Sequence, residues 1–212
     1  MAMARRIIDI SQPVDSSIGV WPGDTPFTSE FTWDMATGSS CNVSRIQTSP
    51  HNGTHADAPL HFLPGTPGIG DVGLDAYLGL CMVVDGPEKG QIQPDDFNGI
   101  DLAKTPRILV RTHQSSETGF REDFVSLSVD AARWLAENGA RLVGLDTPSM
   151  DPFDSKTMDS HHALLGARIA ILENLLLADV EPGIYELIAL PLRWPGLDAS
   201  PVRAVLRETS ED

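Results

Sequence analysis

Five of the six histidines in this 212-residue sequence fall in two short segments, and an aspartate lies between them in the first. That segment reads Ser49-Pro50-His51-Asn52-Gly53-Thr54-His55-Ala56-Asp57-Ala58-Pro59-Leu60-His61, and the second is Asp159-Ser160-His161-His162. Two neutral imidazoles and one carboxylate (His51, His55, Asp57) make a catalytic zinc set that leaves a coordination position open, and manganese or iron also accepts such ligands. Asp57 has two oxygens and can bridge to a second ion. The further ligands for that ion would come from the His161-His162 pair and from Glu173, a short strand beyond. A carboxylate shared by two ions would set water between them as a nucleophile. His61, four residues past Asp57 and not needed as a ligand, suits a proton shuttle because an imidazole titrates near neutrality.

The spacing also dictates how the chain must run. On a helix Asp57 would sit about 240° round from His51, and Pro50, Gly53 and Pro59 oppose helix in any case. On a straight strand His51 and Asp57 share a face but lie roughly 20 Å apart, too far to meet on one ion. The segment therefore has to bend, with Gly53 supplying the unusual φ and Pro59 stiffening the residues after it. Around it, apolar β-branched runs recur between Gly/Pro punctuation: Arg6 to Ile10, Leu80 to Val84, Ile108 to Arg111, Arg141 to Leu145, Ile169 to Leu172 and Ile184 to Leu190. These read as strands. A helix is expected from a Ser128 cap to Gly139, and a second over Asp159 to Ala167. Pro22 to Pro26, Pro64 to Gly73 and Gly86 to Asp96 read as loops. These elements make an α/β or α+β domain of many short strands and few helices, and the length favours one domain over residues 1–212.

Composition narrows the partners. The formal charge of -15, from 30 acidic and 15 basic residues, would repel nucleic acid and anionic lipid. No apolar run approaches the ~20 residues needed to span a bilayer, and the opening Met1 to Arg6 is too short to be a secretory leader, so a cytoplasmic protein is expected. Two cysteines, Cys41 and Cys81, are too few for a disulfide scaffold and read as buried thiols. Trp21, before Pro22-Gly23-Asp24, is either a wall for a planar substrate or core. Asp146 and Asp151 are either acceptors behind the ligands or turn and cap residues, and the lone His113 reads as a surface or satisfied core residue.

The motif His51-x-Gly53-Thr54-His55-x-Asp57-Ala58-Pro59-x-His61 resembles the signature of the cyclase-like metal hydrolase family. The likeness extends to Trp21-Pro22-Gly23-Asp24-Thr25-Pro26, Gly144-Leu145-Asp146-Thr147-Pro148-Ser149, Asp154-Ser155-Lys156-Thr157, Ile171-Leu172-Glu173-Asn174-Leu175 and the closing Gly196-Leu197-Asp198-Ala199-Ser200-Pro201-Val202-Arg203, as in the family's bacterial kynurenine formamidase branch. Trp194-Pro195 departs from that branch, where a smaller aliphatic residue is more typical. The resemblance implies a swivelling β/α/β type of fold with a small barrel-like mixed sheet, in a homodimer. It implies two Zn2+ ions per subunit, Mn2+ being an alternative: His51, His55 and Asp57 on one, Asp57, His161 and Glu173 on the other, with His61 as acid/base. Its implied activity is hydrolysis of N-formyl-L-kynurenine to L-kynurenine and formate in tryptophan degradation. The rival expectations are a sister cyclic-amide hydrolase of isatin hydrolase type on the same ligands, and a non-catalytic metal- or ligand-binding module.

Overall fold

In the computed structural model, which describes residues 5–114 and 119–209, the chain builds thirteen strands and two α-helices. The reading of Met1 to Ala4 lies outside the described residues. The strands are β1 (Ile7–Asp9), β2 (Thr28–Trp33), β3 (Val43–Gln47), β4 (His55–Asp57), β5 (Leu78–Asp85), β6 (Gln91–Ile92), β7 (Arg107–Arg111), β8 (Ser126–Leu127), β9 (Leu142–Leu145), β10 (Ala170–Glu173), β11 (Gly183–Ile188), β12 (Ala199–Pro201) and β13 (Val205–Glu208). The helices are α1 (Val129–Glu137) and α2 (Asp159–Gly166).

Nine strands join one curled half-barrel sheet in the order β1-β13-β11-β5-β7-β9-β10-β4-β12. Its centre, β5-β7-β9-β10, is parallel, and both flanks are antiparallel, so the sheet is mixed, as the resemblance implied. The parallel centre is covered on both faces, which explains why its strands read as continuous apolar runs. Successive side chains still divide between the two faces. Ile108, Val110, Val143, Leu145 and Ile171 pack with Ala132, Leu135, Leu164 and Leu165 of the two helices. Leu109, Leu142 and Leu172 pack on the opposite core with Cys81, Val83, Leu187 and Leu206. Each such fully buried aliphatic contributes roughly 1.5–3 kcal/mol relative to exposure.

Both expected helices form. Ser128 caps α1 by accepting from the Ala131 N–H at 3.1 Å, and Gly139 follows the helix at φ 85°. Trp194 is partly buried and packs against this core, so the departure there falls in local packing. Three expectations need correction. The stretch from Gly86 to Asp96 holds strand β6 and the start of a 3-10 turn, Pro94–Phe97, because a parallel pairing with β8 orders it. The Pro64 to Gly73 stretch likewise contains a 3-10 turn, Ile69–Asp71, whose Ile69 is buried in the core. Cys81 is buried as expected, but Cys41 is exposed, in the connection between β2 and β3, a hairpin outside the main sheet.

Candidate metal centre

The His51 to His61 segment bends as its spacing requires. Gly53 takes φ 72°, and a Cβ there would meet Val14 Cγ2 at 2.6 Å, so no other residue fits without displacement. The chain then enters β4, is held between β10 and β12, and turns back through a 3-10 turn, Pro59–His61. In the β4–β10 register His55 faces Glu173 and Asp57 faces Ile171. Directly opposed residues share a face, so His55, Asp57 and Glu173 project together on the side covered by the helices. From that side α2 contributes His161. The site thus lies at the carboxyl end of the parallel strand β10, the usual location for ligands in α/β sheets.

Each of three imidazoles is held by one ring nitrogen and aims the other at a common centre. His55 Nδ1 bonds the Gly53 carbonyl at 2.8 Å, and its Nε2 lies 3.4 Å from Asp57 Oδ1 and 3.4 Å from Glu173 Oε2. His161 Nδ1 bonds Asp151 Oδ2 at 2.7 Å, and its Nε2 lies 3.0 Å from Glu173 Oε1 and 3.7 Å from Asp57 Oδ2. His51 Nε2 bonds Asp198 Oδ2 at 2.9 Å, and its Nδ1 lies 3.3 Å from Asp57 Oδ1. Such a pattern fixes the tautomer and leaves a lone pair free for an ion. His162, next to His161, is exposed, with its ring centroid 5.9 Å from that of Phe62.

Charge and burial fit a cation. His55 Nε2 and both Asp57 carboxylate oxygens are buried with no hydrogen-bond partner among the described residues, an arrangement that is costly unless something else satisfies them. Ligand atoms of His51, Asp57 and His61 lie within 4.8 Å of one another, as do those of His55, Asp57 and Glu173. Both groupings share Asp57. The partition implied by the resemblance draws on the same atoms, with His161 added and His61 set free. Burial alone would lower the imidazole pKa values, but it is outweighed by carboxylate contacts. Asp198 and Asp57 push His51 up to about 9, Asp57 and Glu173 push His55 up to about 10, and Asp151 and Glu173 push His161 up to about 10. Burial works against ionisation of Asp57, yet contacts with His51 and His55 hold its carboxyl well below the usual range. Without an ion, protons supply the positive charge that this cluster requires.

The cluster forms the floor of a cavity of about 610 Å³, a volume suited to a small organic molecule. Trp21 lines it and also packs on Phe120, Phe124 and Phe153 at centroid distances of 5.3, 6.3 and 5.1 Å. Trp21 is therefore both wall and packing residue. His61 lines the cavity too, its ring 4.2 Å from that of His51 and its Nδ1 3.4 Å from Asp198 Oδ2. His113 lies elsewhere, exposed near Asp85.

The sequence matches the model of the putative cyclase family over residues 8–152. It is 48% identical over 206 residues, 96% of this chain and 99% of the other, to a protein of Bordetella petrii named kynurenine formamidase. The chain belongs to the cyclase family. Among solved structures, one described as a potential metal-dependent hydrolase with cyclase activity superposes with a TM-score of 0.84 at 30% identity, covering 98% of this chain and 100% of that one. Isatin hydrolase A from Labrenzia aggregata superposes with a TM-score of 0.82 at 24% identity, covering 97% of this chain and 94% of that one, a likeness of fold.

Within this cyclase-family site, two carboxylates outside the expected ligand set hold imidazoles in place. Asp151 fills both roles that its sequence position left open. It accepts from the Ser160 and His161 backbone N–H groups at 3.0 and 2.9 Å, capping α2, and holds the His161 ring from the same carboxylate. Asp146, in contrast, accepts from Thr112 N–H and Oγ1 and braces the loop after β7. Asp198 has no local sequence signal, since its partner His51 is 147 positions away; only its place in the closing family motif marks it. Asp151→Asn is expected to leave the fold intact and weaken metal affinity about 10- to 100-fold, because the ring loses its charged acceptor. Competition titration against a chromophoric chelator reads this directly, and unchanged affinity would mean that the charge on Asp151 does not tune the His161 ring.

Proposed function

We propose that the protein hydrolyses N-formyl-L-kynurenine to L-kynurenine and formate in tryptophan degradation, as a zinc-dependent kynurenine formamidase. The observation that carries this reading is the 48% identity to the Bordetella petrii protein across nearly the whole of both chains. The buried histidine–carboxylate cluster beneath an aromatic-walled cavity supports it. An isatin hydrolase-like activity has weaker support, because the isatin hydrolase from Labrenzia aggregata is only 24% identical. A non-catalytic module would leave the convergence of cavity, cluster and adjacent His61 without a purpose.

In this reading His51, His55, Asp57, His161 and Glu173 hold two zinc ions, with manganese as an alternative. When bound, the ions supply Lewis-acid polarisation of the formyl carbonyl and acidification of water. Trp21 orients the anilide ring. Burial, aided by the positive charge of His51, lowers the pKa of His61 against the pull of Asp57, Glu173 and Asp198. A neutral His61 can thus take a proton from attacking water and hand it to the departing aryl amine. A homodimer fits the apolar side chains that the β2–β3 hairpin leaves exposed, among them Phe31, Trp33 and Ile46. A cytoplasmic setting fits two unpaired cysteines and the lack, among the described residues, of a helix long and apolar enough to cross a membrane.

Purified protein is expected to cleave N-formyl-L-kynurenine, to lose that activity on chelation and to regain it with zinc. Protons on His51, His55 and His161 compete with the metal, so the affinity for added zinc should rise with pH between about 6 and the raised pKa values near 9 and 10. Activity that survives exhaustive chelation would refute the metal-dependent reading, and bound metal with no formamide turnover would refute the substrate.

A further inference from the structure

We propose that Lys156 is the specificity-determining residue that receives the substrate's α-carboxylate. The inference rests on the formyl-kynurenine reading, and it addresses the end of the molecule that reading leaves unheld. The substrate is an amino acid with a zwitterionic head, whose carboxylate must come to rest in a protein of net charge -15. Asp24 and Asp146 also line the cavity, where they repel the carboxylate and attract the α-ammonium. Against like charge, a carboxylate needs a cation at the place where it comes to rest.

Among the described residues, two permanently cationic side chains line the cavity, Arg121 and Lys156. Arg121 is already engaged: its Nε and guanidinium nitrogen bond both carboxylate oxygens of Asp123, at 3.2 and 3.1 Å. Lys156 has no ion pair or hydrogen bond with the described residues. Its ammonium is thus the free charge.

The position of Lys156 in the chain also suits the task. It lies on the loop between Asp151, which holds His161, and α2, which carries His161. The same loop places Phe153 against Trp21 and Phe120, at 5.1 and 5.8 Å. One short segment therefore links the metal cluster, the aromatic wall and the cation. A ring seated on that wall with its formamide over the cluster leaves the amino acid side chain as the part that reaches toward Lys156. Isatin carries no such head group, so Lys156 would separate the two substrate classes that an identical ligand set cannot.

The test compares wild type with K156M, K156R and the control R121M on N-formyl-L-kynurenine and on 2′-formamidoacetophenone, a neutral formanilide without the amino acid head. For K156M, KM toward N-formyl-L-kynurenine should rise on the order of tenfold with kcat little changed, while the neutral formanilide is cleaved as by wild type. K156R should retain most of the preference and R121M all of it. Equal loss on both substrates would overturn the inference, because it would make Lys156 structural. An unimpaired K156M in a background where wild type cleaves both would overturn it alone and place the carboxylate elsewhere. A wild type that cleaves only the neutral formanilide would overturn the substrate reading together with this inference.

Discussion

Asp57→Asn is expected to abolish stoichiometric metal binding and to lower kcat/KM on N-formyl-L-kynurenine by about a thousandfold or more, the loss anticipated when several kcal/mol of metal-derived stabilisation disappear. Asp57 is common to both close groupings of ligand atoms, and both its oxygens are buried without a hydrogen-bond partner among the described residues. An amide in that position offers one neutral acceptor, and its NH2 group points donors at imidazoles that already carry hydrogens or face an ion. His55 and His161 would then share Glu173 as the central anion, and His51 would keep only Asp198, on its outer nitrogen. Metal content by plasma emission, together with far-ultraviolet circular dichroism, separates this effect from unfolding. Retention of two equivalents of metal would show that Asp57 does not bridge. Retention of one would assign it to a single ion.

Much of this centre is legible in sequence because its first half is local. Gly53, Pro59 and the periodicity of His51, His55 and Asp57 exclude helix and straight strand, and the structure shows the resulting bend around a three-residue strand. The second half is legible only through its chemistry. His161 and Glu173 could be grouped by residue type, but their approach to His55 depends on the antiparallel β4–β10 register, which connects segments more than a hundred residues apart. Asp198 is the extreme case. With thirty acidic residues in the chain, no local pattern distinguishes the one that returns to His51. The fold shows the same division. Strands buried on both faces announce themselves as apolar runs, whereas β6 and β8 are two residues each and exist because they pair with one another. The β2–β3 hairpin leaves its apolar side chains exposed, so it gives none of the half-buried alternation by which a strand is recognised.

If two ions bind as proposed, His61→Ala is expected to retain both and lose turnover by about 10²- to 10⁴-fold, the usual worth of a positioned general acid–base. His61 differs from the imidazoles proposed as ligands in how loosely it is held. The rings of His51, His55 and His161 each have an outer nitrogen bonded to an acceptor at 2.9, 2.8 and 2.7 Å, whereas the nearest carboxylate to His61 is Asp198, at 3.4 Å from Nδ1. Burial lowers its pKa while those of the other three are raised. A ring less firmly fixed, neutral and open to the cavity suits proton transfer better than permanent ligation. The same shift sets the sign of the pH response. His61 must be unprotonated to accept a proton, so kcat/KM should rise with pH through an apparent pKa below the ordinary imidazole value of 6.5, and that limb should vanish in the variant. His61 nonetheless groups within 4.8 Å of the ligand atoms of His51 and Asp57, which gives the experiment its second outcome. If His61→Ala loses one metal equivalent along with its activity, His61 is a ligand and the proton must travel through another group. If activity stays within a few-fold of wild type, it is neither.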